Sequence, residues 1–400
     1  MLRNVHTQND IVYVMQPTRN LMLAVGVWAP RSGRMSVFQK IYNLFLNFST
    51  NFLLACEFIP GSIYWLLEES ARMRLQMCPL LFYVFMSVIQ YYILLSRNGR
   101  IRQCWKHVEE DWENVFSMDA RNVMFKGAKS AKFLILICAA LMYTGSIMFR
   151  IILPLSQGKI VTDQNITIRP LACPVNFLFI DAQASPFYEI LFVFQAITGF
   201  IIVSVATSAY GLLAYFVEHA SGQMKIQIWL MKCLVQEQRK KEHEIDKKLA
   251  EVVEHQIRVR SFLQMVQYTM QEICLIEIME STLTICVLLY FIILDWDSHN
   301  FGVIGSYALN IVNVTIHIFL FCYTGEQLND QAEKVAIESR ELEWYNLPEK
   351  KMRSIVLLMI MSNYPPKISA GKIMVLSLKT FGDVIKTSGA YFNMLRNVIE

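Results

Sequence analysis

Residues 373–398 read IMVLSLKTFGDVIKTSGAYFNMLRNV, an apolar stretch that is long enough to cross a bilayer and yet carries charged side chains. About 20 helical residues, rising about 1.5 Å each, span the hydrocarbon core of a membrane. Because charged groups that face lipid are costly, Lys379, Asp383 and Lys386 are expected to face protein or a water-filled space. The stretch therefore predicts a final membrane helix that lines an aqueous pathway or packs inside a helix bundle.

One face of this predicted helix is suited to line a pore. Positions three and four residues apart share a face of a helix, and the positions on one such stripe are mostly polar or small. They are Asp383, Thr387, Ala390, Met394 and Asn397. A second interpretation stays open at this point, because Lys379, Asp383 and Lys386 are also spaced to pair with one another inside a bundle.

The composition favours a polytopic, all-α membrane protein. Hydrophobic residues make up 54% of the chain, charged residues make up only 18%, and the mean hydropathy is +0.35. One contiguous membrane domain is therefore expected rather than several soluble ones. The cysteines are scattered, with no CxxC pair and no histidine at metal-binding spacing, so neither a disulfide framework nor a metal site is predicted. A net charge of +4 is too slight to indicate a nucleic-acid partner.

Six further apolar stretches precede the final helix, which gives seven predicted membrane spans. They lie at about Val37–Ile59, Met77–Leu95, Phe133–Leu155, Phe187–Phe216, Ile273–Leu294 and Val303–Cys322. Upstream, Leu21–Val27 is too short to span and is expected to form an interfacial or re-entrant helix, and no secretory signal is recognisable there. The chain thus divides into a cytoplasmic amino-terminal region at 1–36, the six spans at 37–323, a cytoplasmic helical region at 324–370 and the final span at 371–400.

The distribution of Lys and Arg predicts the orientation of the spans. Residues 98–132, 218–262 and 324–372 are rich in Lys and Arg, whereas 157–186 and 295–302 contain few or none. Positively charged loops stay in the cytoplasm, so the amino terminus is predicted to be cytoplasmic and the carboxyl terminus extracellular. This orientation is opposite to that of G-protein-coupled receptors, which leaves that class as a minor alternative.

A glycosylation sequon agrees with this orientation. Asn165 is followed by Ile166 and Thr167, in a loop that the charge distribution places outside the cell. Because Asn-x-Thr is the acceptor sequence for N-linked sugars, Asn165 is a candidate glycosylation site.

Two predicted cytoplasmic segments have amphipathic helical patterns. Apolar residues recur close to helical spacing in Glu242–Gln264, so the fourth and fifth spans are expected to continue as helices below the membrane. Gln331–Met361 shows the same pattern and is predicted to be helical. An amphipathic helix needs a partner surface, which subunit assembly would supply; a calmodulin-type target is a weaker alternative.

Several short motifs, in order along the chain, resemble those of the insect odorant receptors. The segments that carry the resemblance are Gly26–Pro30, Phe321–Leu328, Glu343–Pro348, Ala370–Lys372, Thr380–Phe381, Lys386–Ser388 and Tyr391–Leu395. The chain departs from the family pattern at Ser362–Pro365 and Ser388–Tyr391. Gustatory receptors are the second alternative. They rank below the odorant receptors because their terminal Thr-Tyr and Gln-Phe elements are absent from this sequence.

The resemblance implies a heterotetrameric, odorant-gated, non-selective cation channel in the plasma membrane of olfactory sensory neurons, in their dendrites or cilia. The partner would be the odorant coreceptor, which carries a longer insert after the fourth span, so this chain resembles a ligand-tuning subunit. Met394 and Val398 would form the gate for permeant cations, and Asn397 the narrow polar ring. The helix at Gln331–Met361 would anchor neighbouring subunits. Its family motif contains Trp344, Tyr345, Leu347 and Pro348.

The resemblance also implies a pocket for a small volatile molecule in the outer half of the second to sixth spans. Apolar and aromatic walls with a few hydroxyl groups suit such a ligand. The candidates are Phe82, Tyr83, Met86, Tyr143, Ser146, Ile147, Phe187, Tyr188, Leu191, Phe192, Leu283, Val287 and Tyr290. Any single residue of this kind is more often a core packing residue than a ligand contact. Arg150 is expected to extend to the outer membrane interface, and Glu277 and Glu280 are expected to pair with a neighbouring helix.

An enzyme or a secondary transporter has little support in the sequence. No nucleophile–base pair, catalytic residue or cofactor motif is recognisable. Most histidines lie in polar segments outside the apolar spans. A transporter would favour internal repeats and paired discontinuous helices, and no such repeat is apparent.

Overall fold

The computed structural model describes residues 15–28, 36–115, 117–161, 167–175, 182–235, 242–296 and 301–399. The predicted glycosylation site, Asn165, lies outside these residues. The side chains of Asn397 and Val398 also lie outside them, although the helix backbone at both positions is described.

The described chain is built mainly of helices, with two short hairpins. The helices are α1 (15–24), α2 (Val37–Leu67), α3 (Ala71–Ser96), α4 (Asn98–Glu113), α5 (Met118–Ile147), α6 (Leu153–Gln157), α7 (Phe187–Val235), α8 (Glu242–Leu294), α9 (Phe301–Arg340), α10 (Glu349–Asn363) and α11 (Leu378–Ile399). The antiparallel hairpins are β1 (Ile160–Val161) with β2 (Thr167–Ile168), and β3 (Ser369–Ala370) with β4 (Met374–Val375).

Each of the seven predicted spans is helical. Among the described residues, five helices are long and apolar enough to cross a membrane: α3, α5 with its continuation to Gln157, α7, α8 and α9. The helices α2 and α11 correspond to the first and last predicted spans and carry more polar residues. Both lie beside the apolar helices, since α2 packs on α3 and α7 and α11 packs on α8 and α9.

The helix α7 forms the centre of the bundle. All its residues from 202 to 224 are buried, as expected for a helix that has neighbours on every side. It packs against α5, α8 and α9 and also contacts α2 and α3. Small residues allow the close approach of other elements. At Gly211, for example, an added Cβ would lie 3.0 Å from the Thr18 hydroxyl of α1. The buried Met15 and Met22 also place α1 in the main hydrophobic core.

The predicted cytoplasmic continuations are only partly as expected. The helices α7 and α8 do continue well beyond the fourth and fifth apolar spans, to Val235 and from Glu242. The single helix predicted over Gln331–Met361 is wrong, because α9 ends at Arg340 and α10 begins only at Glu349. Pro348 accounts for the start of α10, since the residue before a proline is disfavoured in helical conformation and Leu347 is extended.

The final helix begins later than the predicted Ile373. The hairpin β3–β4 occupies Ser369–Val375, and Gly371 and Lys372 turn the chain with φ of 57° and 62°. The Ala-Gly-Lys motif is therefore a tight turn, which favours glycine at the left-handed position. The hairpin is bound to α8: the Gln267 amide donates to the Ser369 hydroxyl (2.7 Å) and accepts from the Ser369 N–H (2.7 Å).

Candidate functional site

A cavity of about 140 Å³ lies between α3, α5, α7, α8 and α9, toward the end of the bundle that the charge distribution predicts to be extracellular. Its apolar wall consists of Pro79, Leu80, Met142, Gly145, Phe149, Gly199, Val203, Leu288, Phe291 and Val314. Its polar wall consists of Gln76, Tyr83, Ser146, Arg150, Glu280, Thr284, Tyr307, Asn310, Asn313 and His317. A cavity of about 150 Å³ holds one benzene molecule, so the site has room for a small organic ligand.

A buried ion pair borders this cavity through Arg150. Arg150 is 4% exposed, and its Nη1 lies 2.8 Å and 2.9 Å from the two carboxylate oxygens of Glu57 on α2. The same nitrogen donates to the Gln195 carbonyl of α7 (3.1 Å). The expectation that Arg150 extends to the membrane interface is therefore wrong. A carboxylate inside the bundle retains the guanidinium there, because each charge compensates the desolvation of the other.

The local backbone geometry, together with a facing glycine, holds Arg150 in place. Residues Met148–Ile152 form a π-helical turn between α5 and α6, and Phe149 and Arg150 are consecutive residues that both line the cavity. Pro154 follows, and its missing N–H leaves the Arg150 carbonyl without the usual α-helical donor. On the facing α7, Gly199 leaves room for the arginine: an added Cβ would lie 2.2 Å from Arg150 Cδ.

A second buried polar group joins α3, α8 and α9. Glu277 accepts a hydrogen bond from the Gln90 amide (2.7 Å) and lies 3.3 Å from His317 Nδ1. The prediction that Glu277 pairs with neighbouring helices is confirmed. Glu280, by contrast, lines the cavity, and its carboxylate accepts a 3.2 Å hydrogen bond from Thr284 of its own helix.

A larger cleft of about 590 Å³ lies next to the cavity. Its lining includes residues of α3, the π-helical turn, α6, the 168–175 segment and the start of α9. Gln76, Leu80, Phe149 and Tyr307 line both spaces. Between them, the Gln76 amide donates a 2.8 Å hydrogen bond to the Tyr307 hydroxyl, so α3 and α9 are joined where the two spaces meet.

The cavity includes only some of the pocket residues expected from the sequence. Tyr83 and Ser146 line it. The others lie elsewhere, in packing positions or on the exposed surface. They are Phe82, Met86, Tyr143, Ile147, Phe187, Tyr188, Leu191, Phe192, Leu283, Val287 and Tyr290.

Specific contacts explain several of these other positions. The Tyr143 and Ser204 hydroxyls are 2.6 Å apart, and the Tyr188 hydroxyl donates to the Pro170 carbonyl (2.9 Å). Ile147 and Leu283 are 37% and 39% exposed. Phe187 and Leu191 pack with Cys173, Phe192 stacks on Tyr188, and Val287 and Tyr290 pack with Phe291 and Tyr307.

Most residues of the polar wall were not among those expected from the sequence. Arg150, Glu280, Asn310, Asn313 and His317 all lie within apolar spans. Polar and ionisable residues inside membrane spans usually face the bundle interior, and that signal would have identified them as a group. A glycine on a neighbouring helix is a further signal for Asn313. A Cβ added at Gly145 would lie 2.1 Å from Asn313 Nδ2.

The final helix packs through one face and leaves the predicted stripe uncovered. Thr380, Val384 and Ser388 are buried. The stripe positions Asp383, Thr387, Ala390 and Met394 are exposed in the single chain, Met394 by 64%. Within the described part of the chain, Asp383 makes no ion pair with Lys379 or Lys386, so the alternative in which these charges pair with one another is not observed.

The predicted anchor region contains both a buried contact and an exposed apolar surface. Leu347 is buried in the main core, whereas Trp344 and Tyr345 are 38% and 62% exposed. Pro348 precedes α10 as its N-cap. The helix α10 buries Ile355, Leu358 and Ser362, and it exposes four apolar side chains on the opposite side. These are Val356, Leu357, Ile360 and Met361.

A charged cluster joins α4 to α7 and α8 at the predicted cytoplasmic end. The Asp111 carboxylate lies 2.9 Å from His219 Nε2, accepts a hydrogen bond from Arg258 Nε and lies 3.8 Å from His107 Nε2. Burial acts to raise the pKa of Asp111, but the hydrogen bonds and charges of His219 and Arg258 outweigh it and hold that pKa below its ordinary value. Burial lowers the pKa of His107, and the neighbouring Asp111 offsets only part of this effect.

Comparison with known proteins identifies the family. The family model for the 7tm odorant receptor matches residues 72–389. Similar curated proteins include odorant receptor 10 of Aedes albopictus, 20% identical over 228 residues, and odorant receptor 13a of Drosophila melanogaster, 24% identical over 243 residues. These matches cover 55% and 56% of this chain and 58% and 57% of the relatives, so the chain spans somewhat over half the length of each.

Solved structures share the whole fold. The olfactory receptor OR5 of Machilis hrabei in complex with eugenol superposes with a TM-score of 0.81 at 16% identity, covering 98% of this chain and 99% of that one. The same receptor in a second structure gives a TM-score of 0.78 at 15% identity. With the family model matching most of its length and five helices apolar enough to cross a membrane, the chain belongs to the 7tm odorant receptor family and is a multi-pass membrane receptor rather than an enzyme.

Proposed function

We propose that this chain is the ligand-tuning subunit of a heteromeric, odorant-gated, non-selective cation channel. Its partner is the odorant coreceptor, with which it forms a heterotetramer in the plasma membrane. Binding of a small volatile molecule opens the channel and depolarises an olfactory sensory neuron, in whose dendrites or cilia the complex resides.

The single observation that carries this proposal is the cavity between α3, α5, α7, α8 and α9. It is lined by both apolar and polar groups and has about the volume of one small organic molecule. Dispersion and burial would hold such a ligand, and the polar wall would select its orientation. The adjoining cleft supplies a route from the predicted outer surface, with the hydrogen bond between Gln76 and Tyr307 at the junction.

The uncovered face of α11 supports the channel part of the proposal. An isolated subunit leaves Asp383, Thr387, Ala390 and Met394 exposed, although the opposite face of the helix is packed. In a tetramer these stripes would surround a shared axis, where polar and small side chains permit hydrated cations to pass. Met394, together with Val398, would form the gate, and Asn397 the polar ring.

The exposed apolar face of α10 supports the assembly part. Leu357 and Ile360 are 64% and 50% exposed, next to the exposed Trp344 and Tyr345. Contiguous exposed apolar surface marks an interaction site, and here the neighbouring subunits would cover it. Because α7 ends at Val235 and α8 begins at Glu242, there is no room for the long insert of a coreceptor, which favours the tuning subunit.

Opening follows if the ligand binds the open state more tightly than the closed one. Each tenfold shift in the closed-to-open ratio requires about 1.4 kcal/mol of differential binding. The helix α8 is placed to transmit this shift, because it lines the cavity through Glu280 and Thr284 and also packs against α11.

Whole-cell current tests this proposal. Cells would express the chain with and without an insect odorant coreceptor and receive volatile esters, alcohols, ketones and hydrocarbons. A rapid cation current that needs both proteins and persists when G-protein signalling is blocked is expected. A ligand response that requires G proteins, or a current of equal size from this chain alone, would contradict it.

A further inference from the structure

One carboxylate of the cavity wall has no charged partner. Glu280 is 6% exposed and lines the cavity, and its Oε1 accepts a 3.2 Å hydrogen bond from the hydroxyl of Thr284, which also lines the cavity. Among the described residues Glu280 makes no ion pair and no other hydrogen bond, so its Oε2 has no partner there. This oxygen is not one of the polar atoms that the protein encloses. Because Glu280 is otherwise buried, the cavity is the space from which Oε2 is accessible.

The other charged groups near the cavity are already paired. Arg150 is held by Glu57 at 2.8 Å, and His317 Nδ1 lies 3.3 Å from Glu277. With His317 protonated, these two pairs are neutral and an ionised Glu280 adds a negative charge. With His317 neutral, the excess of negative charge is larger. In both states of His317 an ionised Glu280 therefore favours a ligand cation and disfavours a ligand anion.

The rest of the wall fits the two parts of an amine. Tyr83, Ser146 and Asn310 line the cavity, and within the described part of the chain their side-chain polar atoms make no hydrogen bond and are not enclosed. Their oxygens can accept the further hydrogen bonds of an ammonium group, which has three donors. Leu288 and Phe291 belong to the apolar wall, which can hold a hydrocarbon group by dispersion. A bare metal ion would leave this apolar space unfilled.

We infer that this receptor takes small alkyl amines, and that the Glu280 carboxylate selects them by accepting a hydrogen bond from the ammonium group. The inference rests on the proposed function for the role of the cavity, and it adds the chemical class of the ligand and the residue that selects it. Neutral molecules of the same shape also fill the cavity, but they leave the charge of Glu280 without a counter-ion.

The bound state is an ion pair of ammonium and carboxylate. An amine that arrives protonated meets the ionised carboxylate. An amine that arrives neutral takes the proton of a neutral carboxyl group, because alkyl amines are far stronger bases than carboxylates. The desolvation of Glu280 is already part of the folded state, so the new ion pair has only the desolvation of the ligand to offset.

Binding of three molecules of similar shape tests the inference without relying on channel opening. The full-length chain in lipid nanodiscs would be titrated at neutral pH with cyclopentylamine, cyclopentanol and methylcyclopentane, and the shift in Tm would give apparent affinities. Each molecule has as many heavy atoms as benzene, and they differ only in the group that the ring carries. The amine is expected to bind about 10- to 100-fold more tightly than either neutral molecule, the range for hydrogen bonds to charged groups.

An isosteric variant identifies the acceptor. Glu280→Gln keeps the shape of the side chain and an oxygen for the Thr284 hydroxyl, but it removes the charge. The preference for the amine is expected to fall below about threefold, while methylcyclopentane still binds and so shows that the cavity has formed. Partition of each molecule into the lipid is the same for both proteins, so the difference reports the site. An amine preference that persists in Glu280→Gln would overturn the role of Glu280.

Glu218→Gln is the matched control. Glu218 is 7% exposed and accepts a 2.8 Å hydrogen bond from the Ser130 hydroxyl, much as Glu280 does from Thr284, but it lies outside the cavity lining. The same loss of a buried carboxylate should therefore leave the amine preference unchanged. An equal loss of preference in both variants would assign it to the overall charge of the protein rather than to Glu280.

The outcomes separate this inference from the proposed function. Equal binding of the three molecules by the unaltered protein, tighter binding of cyclopentanol, or no binding of any of them would overturn the inference, whatever the currents show. These measurements decide the matter even if Glu280→Gln does not fold. Selective binding of the amine without any ligand-gated current would support the inference and contradict the channel proposal. A coreceptor-dependent current evoked by neutral volatiles, without amine selectivity in binding, would do the reverse.

Discussion

The Ser388 hydroxyl of α11 lies 3.2 Å from the backbone carbonyl of Thr282 on α8, and it shares its proton between that carbonyl and the Val384 carbonyl of its own helix (2.8 Å). Thr282 lies between Glu280 and Thr284, both of which line the cavity. One short stretch of α8 therefore contacts the candidate ligand site and the final helix at the same time. A change of packing at the cavity reaches α11 through this stretch by direct contact.

Removing this contact should weaken the coupling between ligand and channel. With Ser388→Ala we expect the ligand concentration for half-maximal current to rise about two- to tenfold, the range for one neutral hydrogen bond. Ligand binding to the purified chain should stay unchanged, because Ser388 lies outside the cavity. Ser96→Ala is a suitable control, since that hydroxyl donates only within its own helix end, to the Ile93 carbonyl. An unchanged dose–response curve for Ser388→Ala would remove this contact from the coupling route.

Truncating the proposed gate should raise the resting current. Met394 is 64% exposed on the uncovered stripe of α11, and an alanine there would widen the constriction and reduce its apolar surface. Current without ligand is expected to increase severalfold in cells that also express the coreceptor. Met118→Ala, at an equally exposed methionine that begins α5, should leave it unchanged. If Met394→Ala changes neither resting current nor activation, the gate lies elsewhere.

Filling the space beside Arg150 should weaken the ligand response. In Gly199→Ala the new methyl group would lie 2.2 Å from Arg150 Cδ and 2.6 Å from its Nε, so the guanidinium has to move. The ligand concentration for half-maximal current should rise at least tenfold, an order-of-magnitude estimate equivalent to about 1.4 kcal/mol, because Arg150 and Gly199 both line the cavity. Gly305→Ala is the matched control, because nothing lies within 4 Å of its added Cβ. A normal response from Gly199→Ala would show that the position of Arg150 does not matter to the ligand.

The buried ion pair should show strong non-additivity. Arg150→Met alone leaves the Glu57 carboxylate buried without its partner and is expected to cost about 3–5 kcal/mol of stability. The double change with Glu57→Leu should recover most of that loss. Thermal unfolding of the purified variants, with yield at the cell surface as a second readout, measures the coupling. Equal destabilisation by the single and double changes would show that the pair is not a unit.

Stability should fall as the pH drops below about 6.5, in part because of His107. The pKa of His107 in the folded protein lies below its ordinary value of 6.5, because burial disfavours the charged ring. At pH values between the two pKa values, the ring binds more protons in the unfolded chain than in the folded one. The contribution of His107 to stability is therefore complete above about pH 6.5 and is lost as the pH falls. Replacing the ring by a neutral one that still stacks on Phe262, with His107→Phe, should flatten this part of the Tm profile. A profile between pH 7.5 and 5.5 that is unchanged by the substitution would assign the effect to other groups.

The sequence predicted the helices well and the cavity poorly, for physical reasons. Hydropathy and charge are properties of contiguous residues, so the positions of the spans followed directly from the chain. The breaks at Pro348 and at the Gly371 turn were marked by residues whose backbone preferences are known, yet the apolar pattern on both sides concealed them.

The residues that meet in the cavity come from helices far apart in the sequence. Glu57 and Arg150 are an example: each appeared as an isolated charge in an apolar stretch, and nothing local shows that they pair. Tyr83 and Ser146 were expected there, because the family resemblance implies a pocket in the outer half of the bundle. Most other candidates were aromatic residues that pack elsewhere, since aromatic side chains suit a helix interface as well as a ligand site.

The β3–β4 hairpin limits how the final helix can move. The hairpin is held to α8 through Ser369 and through the Gly371 N–H, which donates to the Gln271 carbonyl (2.7 Å). The first turn of α11 is held to α9, because the Leu378 N–H donates to the Glu326 carboxylate (2.9 Å). The start of α11 is thus a fixed end, whereas its far end is held by side-chain packing, through Phe392 and Leu395 against the cluster of Leu288, Tyr290, Phe291 and Tyr307. Met394 lies about 24 Å along the helix from Leu378, at about 1.5 Å per residue. A tilt of about 5° would then displace it by about 2 Å, so a small angular change at the fixed end is enough to alter the width of an opening at Met394.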